Sequence, residues 1–369
     1  MKNLCFVTAA RSEYGLLKWL MKDVEASEEF NLQIIATGGH LLESQGYTIT
    51  QIRQDHFSVD LEVPVPMDSD TREGLAVAMG KLAGEMAGAF QKLRPDLVVV
   101  LGDRYELLPI CNTAFVMGIP IVHISGGDVT EGAIDNGIRN AVTMLATYHF
   151  PGTEESADNI RRMRGTDKNI WAVGEPGLDS FYRETMTDRE ALAKELGLDI
   201  SKKWVLMTYH SETLRTLESN METVRNCCET LAETVGVQIV MTYANADYGG
   251  KQINTYLEEI ANKKADKFKC IPSLGKRYLS LMKESALVIG NSSSGIVEAP
   301  SLAIPVVNIG DRQAGRHMCS NIIQCGIARQ DIKKAIDKAL EQPVDTTDLF
   351  YWGDGKTAAR ILEILKKQI

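Results

Sequence analysis

Leu97-Val98-Val99-Val100-Leu101 runs into Gly102-Asp103-Arg104-Tyr105-Glu106. An unbroken apolar run lacks the alternation of a strand with one wet face, so it reads as a strand buried on both sides. Such strands belong to parallel sheets covered by helices. The polar turn leads into a helical stretch, Glu106–Val116. The alternation continues outward: Asn3–Thr8, Leu32–Thr37 and Ile119–Ile124 read as further buried strands, and Tyr14–Glu25 and Leu75–Lys92 have helical spacing. The pattern restarts near Trp204. Trp204–Thr208, Val237–Met241, Ala286–Ile289 and Pro305–Ile309 are the second set of strands, and Met221–Val235, Lys251–Asn262 and Lys276–Lys283 are the helices between them. The expected fold class is α/β, with two parallel-sheet domains around a central cleft where ligands bind.

Val173–Ser201, which starts with Gly174, Pro176 and Gly177, separates the two sets. The domains are therefore expected at residues 1–174 and 175–352, with an amphipathic helix in 353–369 introduced by Gly353-Asp354-Gly355. A length of 369 residues suits two domains of ~150 and needs no disulfide or metal staple. The formal charge of −9 argues against a non-specific nucleic-acid binder. The apolar runs are too short to span a bilayer, and Lys2 is followed by a strand rather than a secretory leader, so no membrane association is expected. Cys5, Cys111, Cys227, Cys228, Cys270, Cys319 and Cys325 form no CxxC pair. Their odd number fits neither a disulfide framework nor a zinc cluster, and suits a cytoplasmic protein.

Residues able to carry chemistry gather where strands end. After the first strand, Ala9-Ala10-Arg11-Ser12 gives either an anion site at a helix N-terminus, with Arg11 as its cation, or a plain turn. Asp103-Arg104-Tyr105-Glu106 either pairs internally or presents an acid to the cleft. His123-Ile124-Ser125-Gly126-Gly127-Asp128 is followed by Glu131, Asp135 and Arg139; the last two stand one helical turn apart on one face. His210 follows the strand Trp204–Thr208 and is able to move protons near neutral pH. Gly290-Asn291-Ser292-Ser293-Ser294-Gly295 is a Gly/Ser loop that opens a helix, as a diphosphate cradle requires, and Glu298 lies one turn further, placed for ribose hydroxyls. Neither GxxxxGK[ST] nor GxGxxG occurs. Arg312 and Arg316 follow the next strand.

Taken together, these segments resemble the UDP-N-acetylglucosamine 2-epimerase family, and most of all its hydrolysing branch, which feeds sialic-acid-type sugar synthesis. The matching segments are TAARSEYGLLK, TGGHL, LGDRYE, HISGGDVTEGAIDNGIR, YHSET, NADYGG, GNSSSGIVEAPSL and NIGDRQAGR, in order over nearly the whole chain. The resemblance implies a GT-B-like fold of two Rossmann-like domains, with the last helix returning to the first. It implies that Arg11, Ser292, Ser293, Gly295 and Glu298 bind UDP, joined by Arg277 and Arg312. Asp103, Asp135, Arg139 and His210 would line the sugar site. No cofactor and no metal are implied. The implied reaction is anti elimination of UDP across C1–C2 to 2-acetamidoglucal, then water addition giving N-acetylmannosamine and UDP. A base must meet the weakly acidic C2–H, cations and N–H groups must meet the leaving diphosphate, and hydration needs an acid and a base again.

The chain departs from part of the family at Ser125, where some relatives carry Glu. Asp128 or Glu131 is expected to replace that acid, unless Asp103 and Asp135 suffice. Four other readings compete: UDP-N,N′-diacetylbacillosamine as substrate on a route to legionaminic acid, a non-hydrolysing epimerase, a GT-B glycosyltransferase, and a silent nucleotide-sugar sensor. A homo-oligomer, dimer or tetramer, is expected from relatives, with Leu75–Lys92 as a candidate interface.

Overall fold

Lys2–Thr8 (β1), Phe30–Thr37 (β2), Leu61–Val63 (β3), Leu97–Leu101 (β4), Ile121–Ile124 (β5) and Tyr148–Phe150 (β6) form one sheet in the computed structural model. The structure describes residues 1–65, 69, 71–130, 133–245 and 247–369. Every pairing in this sheet is parallel, and the order is β3-β2-β1-β4-β5-β6. All side chains of β4 and β5 are buried, as expected for strands covered on both faces. The helix Arg11–Glu25 buries Tyr14, Leu17, Leu20 and Met21 on one face of the sheet. Arg72–Leu93 and Leu107–Val116 cover the other with Leu82, Met86, Ile110 and Ala114.

Lys203–Thr208 (β7), Val237–Thr242 (β8), Phe268–Ile271 (β9), Ser285–Gly290 (β10), Val306–Ile309 (β11) and Ile322–Cys325 (β12) form a second all-parallel sheet. Its order, β12-β11-β10-β7-β8-β9, repeats the topology of the first. Both are Rossmann-like, and the strand order reverses between β1 and β4 and again between β7 and β10. Ligands of open α/β sheets bind at the carboxyl ends of strands at such a reversal.

The first compact unit comprises Met1–Val129, Ile134–Arg183 and Trp352–Ile369; the second comprises Glu184–Tyr351 with Thr130 and Ala133. The first unit thus runs to Arg183, beyond the Gly174 turn read from the sequence. Side chains past that turn explain why. Ser180 Oγ accepts the Trp19 indole N–H at 3.0 Å, and Arg183 forks onto Asp23 at 2.8 and 2.9 Å. Asp179 accepts the N–H groups of Thr357 and Ala358 at 2.9 and 2.8 Å, capping the final helix Thr357–Gln368. That helix buries Ala358, Ile361 and Leu365 in the first unit's core.

Two expected strands begin late. Pro120 and Pro305 have no N–H for a ladder, so β5 starts at Ile121 and β11 at Val306. Their carbonyls still accept from Val98 and Val288, each at 3.0 Å. The short edge strands β3, β6, β9 and β12 are additions to the sequence reading.

Candidate active site

In the first unit, β1 ends at Thr8, and Arg11 is the first residue of the following helix. Ala9 and Ala10 have no side chain able to cap it. Glu13 reaches back instead, and its Oε2 accepts the Ala9 and Ala10 N–H groups at 2.7 and 3.1 Å. Glu13 is buried, and burial pushes its carboxyl up to about 7; nearby Glu106 adds to the rise, while Arg104 and the two N–H groups oppose it. Arg104 pairs with the buried Glu106 at 2.8 Å. The charges of the GDRYE segment are therefore partly engaged with each other. His40, from the TGGHL segment, packs under the same turn between Thr8 Oγ1 and Thr48 Oγ1, at 3.0 and 2.9 Å. Burial pulls its imidazole down to about 3, so it is neutral.

Asp103 turns the other way. Its carboxylate receives the guanidinium of Arg139, which is buried in the helix Asp135–Leu145. Arg139 also donates to the Asp128 carbonyl at 2.7 Å. One buried cation thus ties together the strand-end acid, the loop after β5 and the helix that begins with Asp135. The sequence shows Asp135 and Arg139 sharing a helix face; it does not show that Arg139 reaches Asp103 from there. Asp128 and Asp135 are half-buried, and Glu131 lies outside the described residues. His123 is a structural pin: Nε2 donates to the Gly102 carbonyl at 2.8 Å, Thr143 Oγ1 lies 3.2 Å from Nδ1, and burial holds the ring neutral, down to about 4. Gly127 has φ +78°, and a Cβ there would stand 2.1 Å from the Ser156 carbonyl oxygen, so the Gly pair is required by the loop's path.

Ser125 holds no acid, but a carboxylate stands beside it. Its Oγ donates to Glu175 Oε2 at 2.6 Å. Sequence reasoning looked for the replacement within the loop, at Asp128 and Glu131. Glu175 comes from the segment after β6, too far along the chain for spacing to reveal its place beside Ser125.

In the second unit, β7 runs into Tyr209 and His210. Asn291, fully buried after β10, clamps this segment: its Oδ1 accepts the His210 N–H at 2.7 Å and its Nδ2 donates to the His210 carbonyl at 2.9 Å. The Asn245 N–H donates to His210 Nδ1 at 3.1 Å, which leaves the proton of the neutral imidazole on Nε2. β7 and β10 approach so closely at their ends that a Cβ on Gly290 would lie 1.9 Å from the Thr208 oxygen. Ser292 caps the helix Ser293–Ser301, with its Oγ accepting the Ser294 N–H at 3.4 Å. Ser294 Oγ is hydrogen-bonded to Tyr278 OH at 2.5 Å. Gly295 lets that helix lie on the sheet, since a Cβ would meet Val306 Cγ1 at 3.2 Å. Ser293 is exposed at the positive end of the helix, and Glu298 is buried one turn on. Arg312 Nη1 and Gln313 Nε2 donate to the Asn291 carbonyl at 3.2 and 2.8 Å, so the NIGDRQAGR segment braces the loop from behind. Arg277 opens the helix Arg277–Lys283, with Glu195 at 3.7 Å.

Among the described residues, His317, Cys319 and Asp348 bring three potential metal donors within 4.8 Å. His317 Nε2 already meets Asp348 Oδ2 at 3.1 Å, and Ser320 holds the other carboxylate oxygen, so hydrogen bonding accounts for this group. No helix among the described residues is long and apolar enough to cross a membrane.

Each switch point therefore holds a distinct kind of equipment. The first unit offers acids, arginines and neutral histidines; the second offers a serine-capped helix N-terminus and a histidine of defined tautomer. Comparison with known proteins agrees with these segments. A family model described as UDP-N-acetylglucosamine 2-epimerase matches residues 22–366. The chain belongs to this family. It is 34% identical to GDP/UDP-N,N′-diacetylbacillosamine 2-epimerase (hydrolyzing) of Campylobacter jejuni, over 91% of this chain and 87% of that one. It is 32% identical to UDP-N,N′-diacetylbacillosamine 2-epimerase (hydrolyzing) of Legionella pneumophila, over 99% and 96%. The fold matches UDP-GlcNAc 2-epimerase from Neisseria meningitidis bound to UDP-GlcNAc with a TM-score of 0.82, at 18% identity and full coverage of both chains.

Proposed function

We propose that the chain is a hydrolysing 2-epimerase of a UDP-linked 2-acetamido sugar. The observation that carries the reading is the pairing of Asp103 with buried Arg139 at the end of β4. It fixes a carboxylate at a strand end where a base is needed. Asp103 and Asp135 divide the roles of base and acid: one takes the C2 proton as UDP leaves across C1–C2, and one serves hydration of the glycal. Asp128 and Glu131 are the further candidates for these roles. The departing diphosphate is met by the N-terminus of Ser293–Ser301, with Ser292, Ser293 and Gly295, and by Arg11, Arg277 and Arg312. Glu298 accepts the ribose hydroxyls. His210, with its proton on Nε2, donates to the leaving group.

UDP-N-acetylglucosamine is the simplest substrate and gives N-acetylmannosamine and UDP. The names of the Campylobacter and Legionella relatives favour a second substrate, UDP-N,N′-diacetylbacillosamine. Incubation of each nucleotide sugar in heavy water tests both. Free sugar deuterated at C2 together with UDP supports the hydrolysing reading. Recovery of an epimerised UDP-sugar means the non-hydrolysing reaction, and transfer to an added acceptor means a glycosyltransferase. The proposal also places the enzyme in the cytoplasm as a homo-oligomer, which sizing chromatography checks.

A further inference from the structure

The Ser125–Glu175 contact is more than a loop anchor. Ser125 follows β5 directly, and its N–H donates to the Phe150 carbonyl at 2.9 Å. Its φ is +57°, a left-handed conformation that is unfavourable for a residue with a side chain. That conformation is kept while Oγ donates to Glu175 at 2.6 Å, a short charge-assisted bond. Glu175 is only 8% exposed, whereas Ser125 is half-buried, so Ser125 is the more exposed residue of the pair. The carboxylate sits in a recess made for it. A Cβ on Gly152 would lie 2.0 Å from Glu175 Oε1. The Glu175 N–H is fixed on the Trp352 carbonyl at 2.8 Å. A carboxylate is costly to bury, and a neutral residue would anchor a serine as well. The location adds to this. β4 and β5 are parallel neighbours with Leu101 opposite Ile124, so Asp103 and Ser125 start from adjacent strand ends, about 5 Å apart in the sheet.

We propose that Ser125 and Glu175 act as one proton-accepting pair for the water that hydrates the glycal, with Ser125 touching the water and Glu175 holding the proton. The inference rests on the hydrolysing reading given above. As the water oxygen bonds to C1, its proton passes to Ser125 Oγ, and the Oγ proton passes to Glu175 Oε2. The C1=C2 electron pair takes a proton at C2 from an aspartic acid of the site. The products are free 2-acetamido sugar, a protonated Glu175 and an ionised aspartate. Glu175 loses its proton to solvent by the same hydroxyl.

The test measures UDP, glycal and free sugar formed from UDP-N-acetylglucosamine and from UDP-N,N′-diacetylbacillosamine by the wild type, Ser125→Ala, Glu175→Gln and the double variant. Each single variant should keep KM within ~3-fold and still release UDP, while the glycal accumulates and free sugar formation falls ~10²-fold. The double variant should be no worse than either single, because the two residues act as a unit. The acidic limb of the hydration pH profile should disappear in Glu175→Gln. Wild-type free sugar formation with an unchanged pH profile in the single variants overturns the proposal, as do losses that multiply in the double variant. Should Glu175→Gln fail to fold, Ser125→Ala decides, since it removes one oxygen atom and relieves no packing. A wild type that releases no UDP from either substrate overturns the functional reading and this inference together; a normal wild type beside normal variants overturns this inference alone.

Discussion

Arg139 is the residue on which the proposed chemistry turns, because it is buried and holds Asp103 from another element. Asparagine keeps the shape of the carboxylate and removes only its charge, so lost activity in such a variant cannot be blamed on a cavity. Asp103→Asn and Asp135→Asn should each cut turnover by ~10²-fold or more with UDP affinity largely kept. Single-turnover kinetics should separate them: one variant stops before UDP release and the other after it. Normal sugar release by both would move the acids to Asp128 and Glu131. Glu298 calls for a binding measurement instead. Glu298→Ala should weaken UDP binding by ~10–150-fold, the loss of hydrogen bonds to a charged acceptor of about 1.5–3 kcal/mol. Calorimetry showing native affinity would remove it from the ribose. Asp103 and Asp135 stand out as candidates in the sequence because one follows a strand and the other opens a helix, where chemistry collects in α/β sheets. Glu13, Glu175 and the clamping role of Asn291 do not, since their significance lies in partners that only the tertiary structure brings near.

At the scale of elements, the central strands were readable and the edges were not. β4 and β7 are continuous apolar runs because both faces are covered. β3 and β6 have three residues each, and β12 is partly exposed, so their sequences carry little periodic signal. The final helix was legible as amphipathic, but its cap was not, because Lys356 precedes it and the capping carboxylate belongs to Asp179. Asp179 is fully buried, and desolvation raises its carboxyl above the usual range despite the two N–H groups it accepts. Asp179→Ala should destabilise the first unit by about 1–2 kcal/mol through the lost cap. Urea unfolding followed at the tryptophans will show it. A variant as stable as the wild type would mean that burial of Ile361 and Leu365 alone secures the helix.

Across the whole molecule, the two units share a strand order yet differ in how they store titratable groups. His40, His123 and His149 all lie in the first unit, and burial is the main cause that pulls them down to about 3, 4 and 3. An unfolded histidine titrates near 6.5, so falling pH protonates the unfolded state first. The stability these three contribute is therefore complete above about pH 6.5 and is lost as pH falls toward 4 and below. Glu13 has the opposite sign. Its carboxyl is raised to about 7, so its contribution is present below about pH 4.5 and is lost as pH rises through 7. Between these limits three imidazoles oppose one carboxyl, and mild acid should loosen the first unit before the second. Hydrogen exchange at pH 5 and pH 7.5 should show protection falling more in β1–β6 than in β7–β12. His149 offers the control, because neither ring nitrogen has a hydrogen-bond partner among the described residues. His149→Leu removes a buried polar ring that gains nothing from its surroundings, so it should leave the first unit as stable or more stable at pH 7.5 and less sensitive to acid. Earlier acid opening of β7–β12, or a His149→Leu variant with unchanged acid sensitivity, would show that groups other than the buried imidazoles govern the transition.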